Sequence, residues 1–198
     1  MKKELKSIEN AIYNNIVADN VNLSGAEITF TEFSMLRIDR LNAERTNFKA
    51  SIFDEASFKD CYFGHTNFQS CSLKSIQVVD SNFKNANFKD ANLQGAKIFI
   101  SFGKKVCFDE ANLSGAQFDD FSLIEASFKN ASLVNMSVID SDFQKSDFRG
   151  ANFTNASFSE VDFSGANLMG TNLEGVKFKN CKFTDIIIEP ERRKILDK

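Results

Sequence analysis

Along this chain the large apolar residues keep step with the number five. Between Ser141 and Glu174 every fifth residue is Phe or Leu: Phe143, Phe148, Phe153, Phe158, Phe163, Leu168 and Leu173. Two residues before each stands a small or β-branched side chain: Ser141, Ser146, Ala151, Ala156, Val161, Ala166 and Thr171. Asp, Asn or Ser separates the two. Extended in both directions, the same phase runs from Leu23 to Ile188, and only Ala43 and Gly103 fail to be large and apolar. Of the 22 Phe residues, 18 fall in this register. Neither a 3.6-residue nor a 2-residue period produces such a series, so the pattern predicts a repeat architecture and not ordinary helices or strands.

The repeating unit resembles that of the pentapeptide-repeat proteins, A-(D/N)-(L/F)-X-X. Matching copies are Ala86-Asn-Phe-Lys-Asp90, Ala91-Asn-Leu-Gln-Gly95, Ala111-Asn-Leu-Ser-Gly115, Ala151-Asn-Phe-Thr-Asn155 and Ala166-Asn-Leu-Met-Gly170. The resemblance covers residues 21–188 and implies an all-β fold, a right-handed quadrilateral β-helix with four pentapeptides per coil. The Phe/Leu residue and the small residue two before it then point inward. With coils stacked at the strand spacing of about 4.8 Å, about eight coils make a rod about 40 Å long.

Taken in steps of twenty, the inward residues form four ladders. The first runs Ile28, Phe48, Phe68, Phe88, Phe108, Phe128, Phe148, Leu168, Ile188, and the second runs from Phe33 to Leu173. The third runs Ile38, Phe58, Val78, Ile98, Phe118, Val138, Phe158, Phe178, and the fourth contains both exceptions, Ala43 and Gly103. Seven of the nine Gly stand two after the ladder residue, at a corner where freedom from Cβ is useful. The Asn, Asp and Ser before the ladder residue can hydrogen-bond local backbone.

Outside the repeat, residues 1–16 read as a capping segment, with Leu5, Ile8 and Ile12 at helical spacing. Residues 17–188 are the β-helix, and residues 189–198 a helical cap or tail in which Pro190 suits a first turn and Ile195 and Leu196 pack on the last coil. A contact between two copies at this C-terminal end is the alternative role. Residues 97–107 break the motif: Gly103 replaces a ladder residue, while Phe99, Ile100 and Phe102 are apolar at outward positions. Phe102 turned into the space beneath Gly103 is one expectation, and a projecting contact loop the other.

Composition narrows the function. The net charge of −3 gives no basic nucleic-acid footprint. No apolar run reaches about 18 residues, and no signal-peptide pattern opens the chain. A cytoplasmic protein is expected. Cys61, Cys71 and Cys181 take the small inward position and Cys107 lies one residue away, so reduced thiols acting as small hydrophobes are expected. His65 is the only histidine and sits at an outward corner. No catalytic constellation, metal-ligand spacing or phosphate loop appears, so neither enzymatic activity nor a cofactor is expected.

One edge is distinctive in charge. The outward position two after the third ladder reads Arg40, Asp60, Asp80, Ile100, Asp120, Asp140, Glu160, Asn180, flanked by Asp119, Asp142 and Asp162. A different edge reads Lys49, Gln69, Lys89, Asp109, Lys129, Arg149, so positive charge is segregated away from the column. Stacked like charges on neighbouring strands are mildly destabilising, so folding alone gives the acid column no reason. Some members of the family that the chain resembles imitate duplex DNA and bind type II topoisomerases, giving protection from quinolones. The resemblance therefore implies a non-enzymatic binding rod whose partner is DNA gyrase or topoisomerase IV. Asp60, Asp80, Asp119, Asp120, Asp140, Asp142, Glu160 and Asp162, with Phe99, Ile100 and Phe102, are the candidate contacts. No direct nucleic-acid or membrane binding is expected, and the rod is a monomer or a C-terminal homodimer. The alternative is a scaffold or interaction module of a bacterial effector or regulatory protein that binds no topoisomerase.

Overall fold

A computed structural model describes residues 2–196. Its elements are helix α1 (Lys2–Asn14), nine strands, and a 3₁₀ helix (Pro190–Ile195). The strands are β1 (Val17–Asp19), β2 (Arg37–Asp39), β3 (Ser57–Lys59), β4 (Gln77–Val79), β5 (Lys97–Phe102), β6 (Gln117–Ser122), β7 (Ser137–Ile139), β8 (Ser157–Ser159) and β9 (Lys177–Lys179). They form one parallel sheet in sequence order, each pairing with the next at an offset of twenty residues, Ile38 with Phe58 and Phe58 with Val78. Isolated parallel bridges at the same offset, such as Asn47 with Asn67 and Ser72 with Asn92, join the other three sides. The chain is a parallel β-helix of about eight coils, as the repeat predicts.

The core is the ladder set. Phe48, Phe68, Phe88, Phe108, Phe128 and Phe148 are buried and stack along the axis, with successive ring centroids 5.5, 4.8, 5.0, 5.0 and 4.7 Å apart. Burying each such side chain contributes about 1.5–3 kcal/mol, and neighbouring coils supply the burial. The polar residues among the small inward positions are not left unpaired. Thr46, Ser51, Thr66 and Ser146 donate their hydroxyls to the ladder carbonyls of Leu23, Ile28, Ala43 and Leu123 in the coil before. Cys71 donates its Sγ–H to Phe48 in the same way, at 3.0 Å. Burial pushes the Cys61 and Cys71 thiols up to about 12, and all four cysteines are free.

The four sides meet at corners where the backbone turns left-handed. Every fifth residue from Asn15 to Asp185 has positive φ: seven are Gly and 28 are not. An L-residue loses about 1–2 kcal/mol in this region, least for Asn and Asp, whose short polar side chains hydrogen-bond locally. Of the 35 corner residues, 7 are Gly, 7 Asn and 6 Asp. On the outer sides Asn and Asp before the ladder residue accept from the amide two residues on, as Asn47 does from Lys49 at 3.2 Å and Asp162 from Ser164 at 2.9 Å. The role expected for them from sequence is the one they fill.

Two ladder exceptions are repaired in different ways. Beside Ala43 the small position holds Leu41, so large and small exchange within one coil, and both are buried. At Gly103 the repair comes from the next coil, where Phe121 takes a small position and is buried against Phe118 and Phe83. A Cβ on Gly103 would meet Val106 Cγ2 at 2.6 Å and Phe83 Cβ at 3.2 Å. Phe102 does not fill this space. Its neighbours in register are Asn82 and Ser122, which face outward, and it is 51% exposed. Nor do residues 97–107 project as a loop, since β5 continues through them to Phe102.

At the N-terminal end α1 buries Ile8 and Ala11 and rests Leu5 and Ile12 against the core. At the other end Ile195 and Leu196 lie against the core, but Val176, Phe178 and Phe183 of the last coil are only half-buried. Met1 and residues 197–198, the outermost parts of the expected caps, lie outside the described residues.

Candidate functional site

The acid column lies on the corner that follows the third ladder. Strands β3, β4, β7 and β8 end just before Asp60, Asp80, Asp140 and Glu160, so the pairing register sets these side chains one above another. Serine hydroxyls link successive coils at this corner. The amides of Cys61, Ser81 and Phe121 donate to the hydroxyls of Ser81, Ser101 and Ser141 in the following coil, each at 3.1 Å. Those hydroxyls in turn donate to the carbonyls of Val79, Phe99 and Ile139 at 2.8–3.0 Å. The buried serines thus hold the corner from within.

Asp60, Asp80, Asp120, Asp140 and Glu160 are exposed and all have positive φ. That supplies the folding reason which the sequence reading denied to the column: the left-handed corner favours Asp. It does not favour Ile, and Ile100 is the only β-branched residue among the 28.

The C-terminal half of the edge opens into a shallow groove of ≈ 350 Å³. Asp120, Asp140, Asp142, Glu160 and Asp162 line it, with Ser122, Gln144 and Lys182. Asp119 lies outside the groove on the flat face, in register between Phe99 and Ile139. Asp60 and Asp80 continue the column beyond Ile100. Phe99, Ile100 and Phe102 follow one another around the same corner, with Ile100 57% exposed. All eleven candidate residues therefore belong to one edge, but only five of them share the groove.

Charge on this edge is poorly compensated. Among the described residues, Asp162 alone of the eight acids has a salt bridge, to Lys182 at 3.7 Å. Burial pushes its carboxyl up, but hydrogen bonds from Ser164 and the Lys182 ammonium outweigh this and hold it below the ordinary value. The opposite pattern holds on the edge that carries positive charge. Lys89 pairs with Glu110 at 3.2 Å, and Lys129 and Arg149 both reach Asp147. Three of its four cations are locally paired, so the acid edge is the stronger electrostatic feature. Sequence reasoning missed Phe121 and the corner serines. The signal for the serines is their recurrence at one inward position in steps of twenty, at 81, 101 and 141.

These features can be set beside known proteins. The family model for pentapeptide repeats matches eight copies, over residues 66–98, 107–144 and 146–185. The chain belongs to the pentapeptide-repeat family. The first gap in the match, residues 99–106, holds Phe99, Ile100, Phe102 and Gly103. Two trypsin-treated variants of QnrB1, a plasmid-mediated fluoroquinolone resistance protein, share the fold. One has a TM-score of 0.71 at 17% identity, covering 90% of this chain and 95% of that one. The other has a TM-score of 0.65 at 16% identity, covering 86% and 93%. A comparison with curated proteins finds no match in sequence. Among the described residues, no helix is long and apolar enough to cross a membrane.

Proposed function

We propose that this protein is a non-enzymatic binding rod whose acid edge imitates a phosphate row and engages the DNA-binding surface of a type II topoisomerase, DNA gyrase or topoisomerase IV. The poorly compensated edge carries the reading. From Asp119 to Asp162 six acids occupy three coils, one charge per about 2.4 Å of rod at the strand spacing. A single DNA strand carries one per about 3.4 Å and the duplex one per about 1.7 Å. Neighbouring acids repel by roughly 0.8 kcal/mol in water at about 5 Å, less in salt. A cationic groove relieves that repulsion on binding and is steered toward it. The fold shared with a fluoroquinolone resistance protein supports the choice of partner class.

The edge works without catalysis or cofactor, and buried reduced thiols suit a cytoplasmic setting. Half-buried Val176, Phe178 and Phe183, beside a groove of ≈ 440 Å³ that reaches Ile195, favour a homodimer joined at the C-terminal ends over a monomer. Light scattering in solution distinguishes the two.

The test of function is gyrase supercoiling with wild-type protein and with Asp120, Asp140 and Glu160 all changed to Lys. Wild type is expected to inhibit the enzyme or protect it from a quinolone, and the folded triple variant to lose the effect. If wild type does neither, or the triple variant acts like it, the protein is instead a scaffold module that binds no topoisomerase.

A further inference from the structure

Three departures from the repeat fall on the same two coils. Inside, Gly103 replaces a ladder residue, Val106, Phe83 and Leu123 lie closest to its missing side chain, and Phe121 of the next coil packs on Phe83. In the backbone, β5 and β6 run six residues through the corner where the other strands stop after three, with Ser101 pairing Phe121 and Phe102 pairing Ser122. Outside, Phe99, Ile100 and Phe102 place apolar side chains on both flanks and the tip of the corner. The result is an apolar step, with Ser101 behind it pairing with Phe121 and donating to Phe99 O at 2.8 Å. Acids continue the column on either side, Asp80 before it and Asp120 after it.

Ile100 is the wrong residue for folding at this position. A β-branched side chain in the left-handed region is an outlier, and strain of this kind points to a role elsewhere. It is also the wrong residue for a plain phosphate row, which would want a sixth acid here.

We infer that Ile100, flanked by Phe99 and Phe102, is a specificity determinant of the acid edge. It seats in a shallow apolar pocket on the partner that lies between two cationic clusters, one facing Asp60 and Asp80 and the other facing Asp120, Asp140 and Glu160. This inference rests on the proposed reading of the edge and adds what separates the right cationic groove from any other. Charge sets encounter, and a partner with cations but no pocket leaves the apolar step unburied.

Ile100→Asn and Ile100→Gly test it, because each suits a positive φ and leaves net charge unchanged. Affinity for purified type II topoisomerase is measured beside melting temperature, with the Asp120, Asp140 and Glu160 triple Lys variant in parallel. Both Ile100 variants are expected to melt about 2–4 °C above wild type and to bind at least about tenfold more weakly. Undiminished binding by stable Ile100 variants, with binding lost in the triple variant, overturns the inference and leaves the acid edge standing. Failure of wild type to bind overturns the edge reading and this inference with it. Lower melting temperatures in both Ile100 variants overturn the claim that Ile100 is held against its own preference.

Discussion

Phe121 and Phe83 meet across the coil in which Gly103 takes the place of a ladder residue. Their ring centroids are 5.9 Å apart, and Gly103 occupies the intervening rung. Val106 and Leu123 complete the packing around Gly103. Phe121→Ala is expected to destabilise by about 3–5 kcal/mol, and Gly103→Leu by about 1–3 kcal/mol through overpacking against Val106 and Phe83. The double variant restores the ordinary repeat, so its loss should be smaller than the sum. Urea midpoints of the three variants measure the coupling, and strict additivity would refute the account.

Phe148 is buried in the first ladder, stacked on Phe128 and edge-on to Phe153. Phe148→Ser leaves a void and an underpaired hydroxyl, costing about 3–5 kcal/mol. A thermal melt checks this, with a drop of about 6–20 °C expected for a chain of this size.

Met35 stands at a corner with φ of 59° and is 63% exposed. Its side chain has little burial to lose and its backbone is disfavoured. Met35→Asn is expected to stabilise by about 0.5–1 kcal/mol, a gain that chemical denaturation resolves. A loss would show that Met35 packs more firmly than its exposure indicates.

Asp147 gives the fold a pH dependence. Burial pushes its carboxyl up, but the hydrogen bonds and charge of Arg149, with Lys129 beyond, outweigh this and leave it below the ordinary range. A depressed folded value means that the unfolded chain takes up the proton first. The contribution is therefore complete above the unfolded value of about 3.9 and is lost as pH falls through the lower folded value. Asp147→Asn should lose stability at neutral pH and show a flatter decline in acid. Urea midpoints from pH 7 down to pH 2 test both parts.

The repeat made the interior legible almost residue by residue, because a side chain at a ladder position has no other place to go. Its limits were physical. A five-residue phase says which residues face inward but not which neighbours trade volume, so Phe121, two residues out of register, escaped notice and Phe102 was given its task. Outward positions are less constrained by packing, so the acid column could be found by stepping through the coils. Its conformational cause could not, since φ is a property of the corner and not of the charge. Ile100 becomes conspicuous only once the corner is known to be left-handed.

The twenty-residue pairing offset makes this molecule an indexed rod, in which length and bearing are set by different deletions. Excising twenty residues from the middle removes one rung and leaves every side aligned. Excising five keeps the ladder phase but swings everything downstream by a quarter turn. Asp60 and Asp80 would then look out over one side while Asp120, Asp140 and Glu160 looked out over the next. A surface that must be read as one line can thus be shortened by whole coils, but it is broken by the loss of a single pentapeptide.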